Sequence, residues 1–156
     1  MERALSAVAG TIRQMEARDM DAVIAIQRQS RESAQWSRTD YEEFANGAAP
    51  CFVAENESRV VGFLFARKAA DEMEILNLAV EPAARRQGVA SRLLREVMNW
   101  GAKNGIGSTY IEVRAANAAA RAFYVKHGFH ATGIRANYYR DPDDDAVLLT
   151  TAVTKQ

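Results

Sequence analysis

Hydrophobic and polar positions alternate in some stretches of the chain and follow helical spacing in others, which predicts both strands and helices. The clearest strand covers residues 74–81, with Leu76, Leu78 and Val80 on one face, and Pro82 ends its hydrogen-bond ladder. A long helix is predicted directly after it, because apolar or small residues recur there at helical spacing. These residues are Val89, Leu93, Leu94, Val97 and Gly101.

The remaining patterns predict strands before and after this pair, so we expect a mixed α/β sheet flanked by helices. The other predicted strands cover 11–16, 51–55, 59–68, 108–114, 129–139 and 146–154. Three further helices are expected, with caps at Asp19, Ser37 and Asn117. Met20, Val23, Ile24 and Gln27 trace one face of the first helix, and Gly47 and Gly128 are expected to end the second and the last.

The turn between the central strand and its helix contains Arg85, Arg86 and Gly88. The first N–H groups of a helix lack partners and carry partial positive charge, so they bind anions readily. Gly88 lets the main chain approach such a group without a Cβ in the way. By itself the pattern is also typical of an ordinary solvated helix start, and it matches neither common nucleotide loop.

Composition adds that the chain is expected to be one domain covering 1–156, with 1–10 as a loose N-terminal tail. Its 156 residues are 48% hydrophobic and carry a formal net charge of +0, which argues against a nucleic-acid partner. The one cysteine, Cys51, excludes an internal disulfide and is expected to be a buried strand residue. No apolar run is long enough for a membrane span, so we expect a cytoplasmic protein without a membrane partner.

The run from Asn77 to Pro82, followed by Arg85-Arg86-Gln87-Gly88-Val89-Ala90, resembles the acetyl-CoA-binding core of the GNAT acetyltransferases. In that superfamily, an Arg/Gln-x-x-Gly-x-Gly/Ala turn holds the CoA pyrophosphate on main-chain amides. The preceding strand offers main-chain groups to the pantetheine. The resemblance implies a GNAT-like fold, with a central, mostly antiparallel, twisted sheet of about six to seven strands and about four helices.

Two side chains have the chemistry for acetyl transfer to an amine. Glu112 shares a strand face with Tyr110 and Arg114, so it is either an ion-pair partner of Arg114 or another base, or a general base with a pKa raised by desolvation. Tyr124 either packs its ring or acts as the general acid that protonates the departing thiolate of CoA.

Further stretches resemble one branch of the superfamily, the ribosomal-protein-alanine N-acetyltransferases. They are the run from Glu112 to Ala120, Phe-Tyr-x-x-x-Gly-Phe from Phe123, the run from Ile134 to Tyr139, and Trp36-Ser37. The resemblance makes Glu112 the base and Tyr124 the acid, and it assigns acetyl-CoA contacts to Leu78, Ala79, Val80, Arg86, Gln87, Gly88, Val89, Ala90, Ser91 and Asn117. Trp36 and Tyr138 would line the acceptor entrance, unless their rings only pack the loops. Gln35, Ser91 and Ala136 depart from common residues of the group.

The expected function is therefore transfer of acetyl from acetyl-CoA to the N-terminal α-amino group of a protein, such as a ribosomal protein beginning with alanine. An acetyltransferase for a small amine or a lysine side chain is the alternative within this fold. A CoA-binding module without turnover is the alternative from another class. No metal is expected, because the acidic run 141–145 has Ala146 and Ala152 where a calcium loop needs glycine and glutamate.

Overall fold

The computed structural model describes residues 10–44 and 50–153, and in these ranges the chain forms seven strands, four α-helices and two 3-10 turns. The strands are β1 (Thr11–Gln14), β2 (Phe52–Asn56), β3 (Arg59–Ala69), β4 (Glu72–Val80), β5 (Ser108–Arg114), β6 (His130–Tyr139) and β7 (Asp144–Ala152). The helices are α1 (Met20–Arg28), α2 (Arg38–Phe44), α3 (Val89–Lys103) and α4 (Ala118–Lys126). The strand order is β1-β2-β3-β4-β5-β7-β6, which confirms the predicted mixed α/β fold.

All seven predicted strands are present, and their ends differ from the predicted ends by at most two residues. The expected end of α2 at Gly47 and the expected loose tail, apart from Gly10, lie outside the described residues. The described chain forms two compact units. The first contains the residues up to Arg67 together with Leu76–Trp100, and the second contains Lys68–Ile75 and the residues from Gly101 onward. The single-domain organisation expected from the sequence stays a prediction.

The first unit contains a hairpin of β2 and β3, with β1 paired antiparallel to β2. Its core includes the fully buried Val23, Tyr41, Phe63 and Phe65. The ring of Tyr41 lies 4.6 Å from the ring of Phe65, so α2 is anchored to β3 by aromatic packing. Of the residues predicted to share one face of α1, Met20, Val23 and Gln27 are buried and Ile24 is only partly buried. Ile26, which is not among them, is also buried.

The two predicted caps in the first unit have different outcomes. Ser37 caps α2 as predicted, and the cap is reciprocal with Asp40, because each main-chain N–H donates to the other side chain at 3.0 Å. Asp19 lies at the start of α1, but its side chain makes no capping bond, so that prediction is wrong. The reason is that its carboxylate accepts two hydrogen bonds from Arg13 and one from the N–H of Glu16.

In the second unit, β4 and β5 run parallel, and β7 pairs antiparallel with both β5 and β6. Burial alternates along β5 as predicted, so Ile111 and Val113 point into the core while Glu112 is only half-buried. Asn117 caps α4 by accepting from the N–H of Ala120 at 3.1 Å, and Gly128 after the helix has φ +94°. Both features confirm the predicted limits of this helix.

Candidate active site

Strand β4 leads into the basic turn of the first unit and is buried on both faces near its end. Leu76, Asn77, Ala79 and Val80 are all buried, whereas Leu78 is half-buried. Burial therefore does not alternate along this part of β4, because a strand covered on both sides buries successive residues. This rigid strand fixes where the turn begins.

The turn itself has a main chain suited to an anion. Arg86 has φ +64° and Gly88 has φ +83°, and left-handed residues in a turn direct N–H groups into one concavity. A Cβ on Gly88 would meet no atom within 4 Å, so the protein leaves space beside this main chain. The N–H of Arg92 donates to Gly88 O at 3.0 Å, which starts α3 directly behind the turn. The N–H groups of the first helical turn, residues 88–91, therefore have no partner within the helix.

The start of α3 packs closely on the strands of the first unit. A Cβ on Gly62 in β3 would lie 3.2 Å from Ala79 O and 3.2 Å from a methyl group of Val89. Val89 is buried, while Gln87 and Ala90 are half-buried. Because Gly62 has no side chain, the helix N-terminus can lie against β3 and the end of β4.

Arg85 has a structural task in addition to its charge. Its Nε donates to Val80 O at 2.9 Å, and its Nη2 donates to Ser30 Oγ at 2.9 Å. The turn is thus tied to the end of β4 and to the loop after α1. Arg86 is exposed, as Arg85 is, and Ser91 is half-buried. The N–H of Leu78 donates to Asn77 Oδ1 at 3.0 Å, so that group also has a partner within the chain.

Three buried polar side chains, Gln27, Tyr41 and Asn77, form a cluster in the first unit. The Tyr41 hydroxyl donates to Gln27 Oε1, and Asn77 Nδ2 lies 2.9 Å from the Tyr41 oxygen and 3.2 Å from Gln27 Oε1. The candidate residues chosen from the sequence do not include this cluster. The local sequence around β4 shows only an amide, Asn77, within an apolar run. The residues that Asn77 bonds lie 36 and 50 positions away in sequence.

Trp36 lies on the loop between α1 and α2, and this cluster holds it in place. Its main-chain N–H and C=O bond the Gln27 carboxamide at 3.1 and 2.7 Å. Its indole Nε1 donates to Leu76 O on β4 at 3.0 Å. The ring is partly buried against the core, which fits the alternative that it only packs the loops. Its place at an acceptor entrance stays a prediction.

In the second unit, Glu112 pairs with a base other than Arg114. Its Oε2 lies 2.5 Å from Arg135 Nε on β6, and its side chain is 13% exposed against 63% for Arg135. Arg114 donates instead to two main-chain carbonyls, those of Pro142 and Arg140, at 2.7 and 2.9 Å. The ion pair therefore joins a mostly buried carboxylate to an exposed arginine.

Two tyrosines lie near this ion pair. The Tyr139 hydroxyl donates to Glu112 O at 3.2 Å, and burial, with a smaller effect of the Glu112 charge, raises the pKa of Tyr139 to about 12. Tyr138 is 46% exposed, and its ring lies 5.4 Å from the Arg135 guanidinium and 5.0 Å from the Tyr139 ring. An exposed aromatic ring and a carboxylate therefore contact the same arginine.

Tyr124 is buried on α4, with Phe123 and Phe129 edge-to-face at 5.1 Å each. Burial raises the pKa of its hydroxyl well above the ordinary value, so the phenol stays protonated over the range in which enzymes work. The same shift makes the phenol a weaker acid, so its role as the general acid stays a prediction.

The acidic run after β6 forms a hydrogen-bonded turn. Asp144 accepts from the N–H of Ala116 at 3.0 Å, and Asp145 accepts from the N–H of Asn137 at 2.8 Å. Within 10–44 and 50–153, no group of three or more His, Cys, Asp or Glu side chains could hold a metal ion. Over the same residues, no helix has the length and apolar character needed to cross a membrane.

Comparison with known proteins identifies the family. The model of the acetyltransferase (GNAT) family matches residues 17–129. The [ribosomal protein bS18]-alanine N-acetyltransferase of Escherichia coli K12 is 30% identical over 146 residues, 92% of this chain and 98% of that protein. The crystal structure of the ribosomal-protein-S18-alanine N-acetyltransferase from Escherichia coli matches with a TM-score of 0.85 and 28% identity, covering 94% of this chain and 96% of that one.

The structure of Ard1 from Thermoplasma volcanium is also similar, with a TM-score of 0.84 and 30% identity over 94% of this chain and 99% of that chain. The chain therefore belongs to the acetyltransferase (GNAT) family, and it is an acetyl-CoA-dependent N-acetyltransferase. This result sets aside the CoA-binding module without turnover.

Proposed function

We propose that this enzyme acetylates the N-terminal α-amino group of a cytoplasmic protein, and that its acceptor is a ribosomal protein beginning with alanine. The observation that carries the acceptor class is the similarity to the Escherichia coli ribosomal-protein-alanine enzyme, which extends over 92% of this chain. The side chains and main-chain groups of the two units supply the chemistry that this proposal requires.

Acetyl-CoA is proposed to bind through the turn of the first unit. Its pyrophosphate would accept hydrogen bonds from the main chain of 86–91, where Arg86 and Gly88 have left-handed φ and the helix begins. The space beside Gly88 fits the approach of a phosphate to the main chain. Leu78, Ala79 and Val80 would contact the rest of the molecule through their remaining main-chain groups, and Asn117 is proposed as a further contact.

Glu112 and Tyr124 are proposed as general base and general acid. The α-amino group reaches the enzyme largely as an ammonium, so it must lose a proton, which Glu112 accepts directly or through water. The neutral nitrogen then bonds to the thioester carbonyl carbon, and the carbon–sulfur bond breaks as Tyr124 gives its proton to the departing thiolate. The nitrogen loses its second proton, which restores the Tyr124 phenol, and Glu112 releases the first proton to solvent. An α-amino group has a reference pKa of ~8, against ~10.4 for the lysine side chain, so a weaker base is enough to deprotonate it.

The proposed acceptor class is tested by initial rates on two peptides that differ only in the amine they offer. One begins with a free alanine and has no lysine, and the other is blocked at its N-terminus and carries an internal lysine. We expect the free peptide to be acetylated at least tenfold faster. Equal rates, or faster reaction of the blocked peptide, would replace the α-amine by a lysine or a small amine.

The proposed roles are tested on the preferred peptide. Glu112→Gln keeps the shape of the side chain but cannot accept the proton, so kcat should fall ~10²–10⁴-fold. Tyr124→Phe should also lower kcat while acetyl-CoA still binds. If both variants turn over at the parent rate across the pH range, these assignments are wrong.

A further inference from the structure

The loop over residues 29–37, which we call the acceptor loop because it carries Trp36, is attached to the segment 76–85 at three separate points. The attachments join residues that are 40 to 55 positions apart in sequence, so they are tertiary contacts. They run from Arg85 Nη2 to Ser30 Oγ at 2.9 Å, from Asn77 Nδ2 to Ala34 O at 2.9 Å, and from Trp36 Nε1 to Leu76 O at 3.0 Å.

Asn77 makes the central attachment, and its carboxamide acts in two directions. Its Oδ1 accepts from the N–H of Leu78 within β4, while its Nδ2 donates to Ala34 O in the loop. The same Nδ2 lies within hydrogen-bond distance of Gln27 and Tyr41, which hold the next part of the loop. Only an amide side chain supplies both an acceptor and two donors in this shape, so neither a carboxylate nor an apolar group can replace it.

The segment that Asn77 holds has no regular secondary structure, since residues 29–37 contain no helix or strand. Side-chain bonds hold it instead, including those of Gln35 Nε2 to the main-chain oxygens of Gln27, Ser30 and Ser33. A loop that becomes ordered only when its ligand arrives reduces the affinity by the cost of that ordering, whereas a loop fixed beforehand does not. A fully bonded buried network is the usual means of fixing such a segment.

We infer that Asn77 is a positioning residue for the acceptor, because it fixes the acceptor loop on β4 before the acceptor binds. The inference rests on the proposed function, in which Trp36 lines the acceptor entrance. It goes beyond that function in giving a specificity task to a buried amide that touches neither substrate. Acetyl-CoA affinity should depend on it much less, since the turn at 86–91 is built by its own main chain.

Two variants separate the loop attachment from the rest of the strand. Asn77→Asp keeps an oxygen for the N–H of Leu78 but cannot donate to Ala34 O. Gln27→Met keeps the side-chain length but removes both bonds to the main chain of Trp36. Cys51→Ala is the matched control, because Cys51 is buried in the hydrophobic core that also contains Tyr41, and its thiol donates to Ala66 O on β3.

The measurements are the peptide KM, kcat, the acetyl-CoA dissociation constant by calorimetry, and the urea midpoint of each variant. We expect the peptide KM to rise about tenfold in Asn77→Asp and Gln27→Met, with acetyl-CoA affinity within about twofold of the parent. Cys51→Ala should lower the urea midpoint and leave both constants unchanged. If Asn77→Asp does not fold, Gln27→Met decides the question by itself.

The inference is overturned if the folded variants keep the parent peptide KM, or if peptide KM and acetyl-CoA affinity weaken by the same factor. A uniform change of that kind, shared by Cys51→Ala, would reflect lost stability alone. The assay uses whichever of the two peptides the parent acetylates faster. A parent that prefers the blocked peptide refutes the α-amine proposal, and the same KM comparison on that peptide still decides the task of Asn77.

Discussion

The replacement of Gly88 by alanine isolates the contribution of the turn to acetyl-CoA binding. Gly88 has φ +83°, and a Cβ built there would meet no protein atom within 4 Å. The methyl group of Gly88→Ala therefore costs the free protein only backbone strain, about 1–2 kcal/mol for an L-residue in the left-handed region. For a chain of this size, such a loss lowers Tm by about 2–8 °C.

The effect on binding should be larger than the effect on folding. The methyl group would occupy the space in which the pyrophosphate is proposed to approach the main chain. Losing one hydrogen bond to a charged group costs about 1.5–3 kcal/mol, which corresponds to roughly 10- to 100-fold in affinity. The dissociation constant of acetyl-CoA, measured by calorimetry, should rise by that factor.

Gly105, just beyond the other end of α3, is a closely matched control. It has φ +78°, and a Cβ there would also meet no atom within 4 Å. Gly105→Ala should therefore cost about the same Tm as Gly88→Ala and leave acetyl-CoA affinity unchanged. If both variants are folded and bind acetyl-CoA equally well, the pyrophosphate does not lie against Gly88 and the assignment of 86–91 fails.

Two further predictions concern stability. Thr109 is fully buried, and its hydroxyl is the buried side-chain polar atom that has no hydrogen-bond partner among the described residues. Thr109→Val should therefore raise the free energy of unfolding, measured in urea, by about 1 kcal/mol. A lower free energy of unfolding in this variant would contradict the prediction. Arg13 holds the pKa of Asp19 below its usual range, so this pair stabilises the fold above the unfolded pKa of ~3.9 and loses its effect as pH falls through the folded pKa. Asp19→Asn should cost about 1.5–3 kcal/mol at pH 7, and this deficit should shrink steadily as the pH falls below ~3.9; a deficit that does not change with pH would exclude the pairing as its cause.

Local sequence signals were sufficient for most of the fold. The alternation along β5 correctly placed Glu112 on the less buried face with Tyr110 and Arg114, and the cap of α2 at Ser37 followed from a local signal. Each of these signals depends on residues within a few positions of one another. For the same reason, the sequence could indicate where helices and strands begin and end, and which turn would suit an anion.

Contacts between distant residues could not be predicted in this way. The sequence left open whether Glu112 pairs with Arg114 or another base, and the partner is Arg135, 23 positions away on β6. Asp19 has the right residue type for a helix cap, but the nearby Arg13 competes successfully for its carboxylate. The partners of Asn77 lie on α1, α2 and the loop between them, and nothing local to β4 points to them.

The most direct test of the proposed function uses one peptide that offers both amines, a free N-terminal alanine and an internal lysine. After incubation with enzyme and acetyl-CoA, fragmentation mass spectrometry locates the acetyl group on the product. The proposed function predicts a single acetyl group on the α-nitrogen, and its rate should fall ~10²–10⁴-fold in Glu112→Gln. An acetyl group on the lysine, with the α-amine left free, would contradict it.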